Sequence, residues 1–120
     1  MATILVVDDV RTDRELVGRV LSGAGHTPVY AEDGDQAVLR AKEFKPALIL
    51  LDVVMPGING FNACRLLKQE DDTKKIPVVL VTSKGTDSDK FWGKKQGADD
   101  HLVKPFNPAE LLEVVRRYVR

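Results

Sequence analysis

The sequence predicts an α/β fold built on a five-stranded parallel sheet, and three observations carry that prediction. Short apolar runs alternate with amphipathic segments along the whole chain. The strongest runs, residues 4–7, 47–51 and 76–81, are nearly continuous rather than alternating, as strands buried on both faces require. No internal repeat, low-complexity tract or linker interrupts the pattern, so the reading is five β-α units with helices on both faces of the sheet.

The elements follow in order. The first strand, residues 4–7, runs into Asp8-Asp9. The helix after it places Leu16, Val17, Val20 and Leu21 on one face, with Thr12 and Glu15 at capping-box spacing. Gly23-Ala24-Gly25 resembles part of a dinucleotide fingerprint, but it follows the helix instead of opening it and reads as a helix stop and turn. His26 falls in that loop. Residues 27–31 form a weaker strand, placed nearer a sheet edge. Asp33 and Gln36 cap a second helix with Ala37, Val38, Ala41 and Phe44 on its apolar face. The third strand, 47–51, ends at Asp52. Asn59-Gly60 opens a third helix whose stripe is Phe61, Cys64 and Leu67, which makes Cys64 a packing residue. The fourth strand, 76–81, precedes Thr82, and Thr86 opens a fourth helix. Trp92 beside Phe91 reads as core or as part of a partner surface. A short fifth strand, 101–103, leads to Lys104-Pro105. In the last helix Asn107 caps, Pro108 takes the first position and Glu110 reaches back. Leu111, Leu112, Val115, Tyr118 and Val119 share its apolar face, and Arg116, Arg117 and Arg120 suit its dipole.

Bulk properties narrow the function. The 120 residues fit one domain, 1–120, with no output domain left over. Eighteen Lys plus Arg balance 18 Asp plus Glu, so the chain lacks the basic footprint of a nucleic-acid binder and gives no reason to expect a membrane partner. A single cysteine excludes an internal disulfide and fits a reducing compartment. With no charged leader, cleavage site or membrane-length apolar run, the cytoplasm is the expected location. No strong self-association feature stands out, so a monomer is expected.

Right-handed crossovers leave two architectures. One is a flavodoxin-like (βα)5 three-layer sandwich with its sheet in the order 2-1-3-4-5; the other is a fragment of a larger wound fold. In open α/β sheets ligands sit beyond the carboxyl ends of the strands, where the order reverses. The residues there are Asp8, Asp9, Asp52, Thr82 and Lys104. Each alone has an ordinary reading as a loop or turn residue. Together, the three acids of adjacent strands would repel, at on the order of 4 kcal/mol for two charges about 4 Å apart at an effective dielectric near 20. A hard divalent cation makes that arrangement tolerable, and an oxygen-only donor set favours Mg²⁺. The first loop, Val7-Asp8-Asp9-Val10-Arg11, has neither glycines nor hydroxyls to hold a phosphate directly. A carboxylate can attack phosphorus to give an aspartyl phosphate. In-line transfer then needs the equatorial oxygens neutralised, which Mg²⁺, the Lys104 ammonium and the Thr82 hydroxyl can do.

Val6-Val7-Asp8-Asp9, the run from Leu50-Leu51-Asp52 through Met55-Pro56-Gly57 to Asn59-Gly60, Val81-Thr82-Ser83, and Gly97-Ala98-Asp99-Asp100 with Val103-Lys104-Pro105-Phe106 resemble the receiver domain of two-component response regulators. The resemblance covers essentially the whole chain. It implies that Asp52 takes a phosphoryl group from a histidine kinase. It implies that Asp9, Asp52 and the Val54 backbone carbonyl ligate Mg²⁺, with Asp8 acting through water. Thr82 and Lys104 would meet the phosphoryl oxygens, and the Lys104–Pro105 bond would be cis. Output would pass to a downstream protein through the face made by the fourth predicted helix, the fifth strand and the last helix. The segment Phe91-Trp92-Gly93-Lys94-Lys95-Gln96-Gly97-Ala98 is most similar to the small CheY-like regulators of type IV pilus twitching-motility systems.

Three departures stand out. His101 occupies the place of the family's Tyr or Phe, the ring that moves with the Thr hydroxyl; an imidazole there weakens that coupling or makes it pH-sensitive, or is simply exposed on the last strand. Val54 and Lys84 replace the polar and acidic residues of fast-dephosphorylating relatives, which implies a longer-lived phosphoaspartate. Two rival readings remain. One is a magnesium phosphatase with an aspartyl nucleophile, disfavoured by Val54 where that class has a second acid. The other is a phosphate-independent pseudo-receiver, disfavoured by the retention of all five site residues.

Overall fold

Strand formation follows burial: residues flanked on both sides by apolar neighbours become the sheet. The computed structural model describes residues 1–53, 60–83 and 94–119. Its strands are β1 (Thr3–Val7), β2 (Thr27–Ala31), β3 (Leu48–Asp52), β4 (Val78–Thr82) and β5 (Asp100–Val103). Among the described residues the helices are α1 (Arg11–Gly23), α2 (Gly34–Phe44), α3 (Gly60–Gln69) and α4 (Pro108–Tyr118), the last being the final predicted helix. The predicted start of the helix at Thr86, together with Phe91 and Trp92, lies outside the described residues.

All pairs are parallel and the order is β2-β1-β3-β4-β5, the flavodoxin-like arrangement. Every residue of β3 and β4 is buried, which explains their unbroken apolar character. Alternate side chains feed two cores. Leu5, Val7, Ile49, Leu51, Val78 and Leu80 pack with α2 and α3, where Cys64 and Leu67 are fully buried. Ile4, Val6, Leu50, Val79, Val81 and Leu102 pack with Leu21 of α1 and Leu111, Val114 and Val115 of α4. Each buried Leu, Ile or Val contributes about 1.5–3 kcal/mol by leaving water.

Helix ends match the sequence in part. Asn107 and Glu110 form the full capping box ahead of Pro108. Asp33 accepts from the Gln36 N–H, while the Gln36 side chain accepts from the Glu32 N–H instead of from Asp33. The Gly23-Ala24-Gly25 stop also forms, with α1 ending at Gly23 and Gly25 at φ 90°.

Thr12 and Glu15 do not form a box. The helix begins two residues earlier than their spacing implies, and Val10 holds the cap position without a side-chain bond. The Val10 N–H is taken by the Asp8 carboxylate, and Glu15 pairs with Arg11. Leu16 and Phe44, both read as core-facing, are 59% and 44% exposed. On α1 the small Gly18, covered by Tyr30, and Leu21 supply the fully buried contacts.

Candidate functional site

Register alone brings the carboxyl ends of four strands into line. Val7 pairs with Leu51, Asp52 with Val81, and Thr82 with Val103, so Asp8, Asp52, Thr82 and Lys104 emerge side by side. Asp8, Asp52 and Thr82 are 5%, 7% and 3% exposed, unusual burial for polar side chains. Asp9 lies on the exposed rim. One carboxylate oxygen from each of Asp8, Asp9 and Asp52 lies within 4.8 Å of the others. An all-oxygen set fits Mg²⁺.

Asp8 is held on every side. Its N–H donates to the Ala31 carbonyl, its Oδ1 accepts from the Val10 N–H at 2.9 Å, and its Oδ2 accepts from Lys104 Nζ at 3.1 Å. Asp52 ends β3, and the next N–H, of Val53, donates to the Val81 carbonyl. α3 starts hard against this end: the Gly60 N–H donates to the Val53 carbonyl at 2.9 Å. A Cβ at Gly60 would collide with the Asp52 carbonyl oxygen, which explains the glycine of the Asn59-Gly60 pair.

Lys104 brings a cation among these acids. Its N–H donates to the Thr82 carbonyl at 2.7 Å, anchoring the chain as it leaves β5, and its bond to Pro105 is cis. Nζ lies 3.1 Å from Asp8, 3.5 Å from Asp13 and 3.8 Å from Asp52. Burial alone would depress its pKa. The hydrogen bond to Asp8 and the charges of Asp52, Asp8 and Asp13 outweigh that and raise it, so the ammonium is firmly charged.

His101 is half-buried on β5, opposite Leu80 in register, and points away from the α1/α4 core that receives its neighbour Leu102. Val54 and Lys84 lie outside the described residues.

Two site neighbours escaped the sequence reading. Asp13 adds a third carboxylate near Lys104, and Arg14 donates to the Asp8 carbonyl at 2.7 Å. Both sit in the first turns of α1, where charged residues look like an ordinary solvated face. Their distance of five and six positions from Asp8 is the only linear hint, and it needs the helix geometry to be interpreted.

Residues 4–116 match the model of the response regulator receiver domain. Protein PilH of Pseudomonas aeruginosa is 44% identical over 115 residues, spanning 96% of this chain and 95% of that protein. The phosphate regulon transcriptional regulatory protein PhoB of Escherichia coli is 44% identical over 117 residues, 98% of this chain but only 51% of PhoB. The chain thus spans about half the length of PhoB. Among solved structures, the Vibrio cholerae chemotaxis protein CheY4 superposes with a TM-score of 0.94 at 34% identity, covering 99% of both chains. The receiver domain of a Pseudomonas aeruginosa sensor histidine kinase, solved with a magnesium ion coordinated in its active site cleft, gives 0.90 at 27% identity over 98% of this chain and 96% of that one. With fold, family model and near full-length relatives in agreement, this chain belongs to the response regulator receiver domain family.

Proposed function

We propose that this receiver accepts a phosphoryl group on Asp52 from the phosphohistidine of a histidine kinase, with Mg²⁺ held by Asp9, Asp52 and the Val54 backbone carbonyl and by Asp8 through water. The observation that carries the reading is the convergence of Asp8, Asp9 and Asp52 beside a charged Lys104. Bound there, Mg²⁺ supplies charge neutralisation for the acids and the incoming phosphoryl oxygens.

The chain's own residues supply the rest. An Asp52 carboxylate oxygen attacks phosphorus while the bond from phosphorus to the donor imidazole nitrogen breaks. The imidazole leaves with the bonding pair and takes up a proton, and Asp52 becomes an acyl phosphate. Lys104, already within 3.8 Å of Asp52, moves its ammonium onto one phosphoryl oxygen. The Thr82 hydroxyl, at the end of the adjacent strand, takes another. Positioning and electrostatics carry most of the acceleration.

The product signals by protein contact. As Thr82 turns to the phosphoryl group, His101 follows it and the surface around β5 and α4 shifts its population toward a partner-binding form. The chain alternatively drains phosphate from a shared kinase. It turns over no external substrate beyond its own phosphorylation and hydrolysis. The similarity of residues 91–98 to pilus-motility regulators, with 44% identity to PilH, supports a role in pilus-based motility or chemotaxis. The proposed receiver acts as a monomer in the cytoplasm. Among the described residues no helix is long and apolar enough to cross a membrane.

Incubation with acetyl phosphate and Mg²⁺ tests the reading by intact mass. One phosphoryl group should be gained by the wild type and none by Asp52→Ala. No gain by the wild type would instead support a pseudo-receiver.

A further inference from the structure

We propose that Arg14 is a positioning residue for the acid pair, holding the Asp8–Asp9 peptide so that Asp9 faces the shared cation position. The Arg14 side chain is only 12% exposed, although it begins on the outer turn of α1. Nη1 donates to the Asp8 carbonyl at 2.7 Å, and Nη2 lies 3.6 Å from Glu32, just past β2. The guanidinium therefore ties α1 and the end of β2 to the one peptide that links the two acids. A lysine has a single nitrogen and cannot span both directions.

Asp9 needs this support more than its neighbours do. Asp8 is fastened by its N–H and both carboxylate oxygens, and Asp52 ends a fully buried strand. Among the described residues, no side-chain donor meets the Asp9 carboxylate. Its direction is set by its backbone, and the carbonyl on the preceding peptide is the one Arg14 grips. Outer contacts that orient metal ligands commonly alter metal affinity by about 10–100-fold.

The sign of the effect separates positioning from charge. A buried cation beside an acidic cluster opposes metal binding, so charge alone makes Arg14→Gln bind Mg²⁺ more tightly. Positioning makes it bind more weakly. The test is calorimetric titration of the full chain with MgCl2 for wild type, Arg14→Gln and Arg14→Lys, beside metal-free thermal melts and amide NMR spectra.

The expected result is a loss of about tenfold in Mg²⁺ affinity for Arg14→Gln. Arg14→Lys should recover part of that loss, and amide shifts should stay confined to residues 8–14 and 32. Equal or tighter binding by a folded Arg14→Gln overturns the inference. Should Arg14→Gln fail to fold, Arg14→Lys decides, with weaker binding supporting the proposal and unchanged binding ending it. The inference rests on the magnesium reading: a wild type that binds no Mg²⁺ sinks that reading, whereas a wild type that binds it and variants that bind equally well sink only this one.

Discussion

At the start of β5, Asp99 and Asp100 meet Lys68, Arg117 and the Tyr118 hydroxyl; at its end, Lys104 faces Asp8, Asp13 and Asp52. The first cluster is matched. Lys68 Nζ lies 2.8 Å from both Asp99 and the Ile76 carbonyl, and the same Asp99 oxygen accepts from the Val78 N–H. Arg117 lies 2.9 Å from Asp100, and Tyr118 reaches both the Asp99 carbonyl and the Asp100 carboxylate. Among the described residues, the second cluster sets the Lys104 ammonium, with Arg14 at the Asp8 carbonyl, against three acids, and Asp9 adds another to the same corner. Four residues of strand separate a device that locks helices to the sheet from one that is electrostatically incomplete. Matched charge holds a fold together, and unmatched charge leaves a demand that a ligand can meet.

The largest test of this contrast adds the missing charge. Mg²⁺ should raise the melting temperature of the wild type, with about 2.7 kcal/mol gained at one hundred times the dissociation constant. Asp9→Asn should abolish that gain, yet melt higher than wild type in metal-free buffer because a repulsive acid is gone. Scanning calorimetry with and without MgCl2 measures both, and a metal-free Asp9→Asn that melts lower would break the contrast.

The matched end should behave oppositely. Lys68→Met strands the Ile76 carbonyl and Asp99 and should cost about 2 kcal/mol of stability, read by urea unfolding. Labelling of the variant by acetyl phosphate should be unchanged. The smallest effect belongs to Asp100. Burial opposes its ionisation, but bonds from the His101 N–H, Arg117 and Tyr118 prevail and hold its pKa below the ordinary 3.8. A depressed carboxylate contributes stability above its unfolded pKa and loses it as pH falls through the folded value. Asp100→Asn should therefore melt below wild type at pH 7 and at pH 5. The gap should close below about pH 3.8, and a gap that persists there would show that packing, not charge, is lost.

How far the sequence discloses these two clusters differs. The acids at the end of β1 and β3 are legible because each follows a run of apolar residues, and strand ends are where a wound sheet gathers chemistry. Lys104 is legible by the same logic, although β5 itself has only four residues with mixed burial and little pattern of its own. Asp13 and Arg14 are hidden, since a helix surface is charged by default and only the packed structure shows which charges turn inward. The Thr12–Glu15 spacing misleads for a related reason: the helix starts at Arg11, so Thr12 already lies inside it, and Glu15 pairs with Arg11 instead. Leu16 shows that an apolar residue at helical spacing can still stand 59% exposed, while Gly18, under Tyr30, and Leu21 are the buried residues of α1.

Cys64 has a practical consequence. It is completely enclosed between α3 and the sheet, its Sγ lies 3.6 Å from the Gln96 carbonyl, and burial pushes the thiol up to about 11, with nearby Lys68 only partly offsetting this. Thiolate is the species that alkylating reagents consume, so the native chain is all but silent toward maleimides at neutral pH. A cysteine introduced on the open side of α2, at Leu39 for example, would carry a fluorophore or spin label without the wild-type thiol first having to be removed.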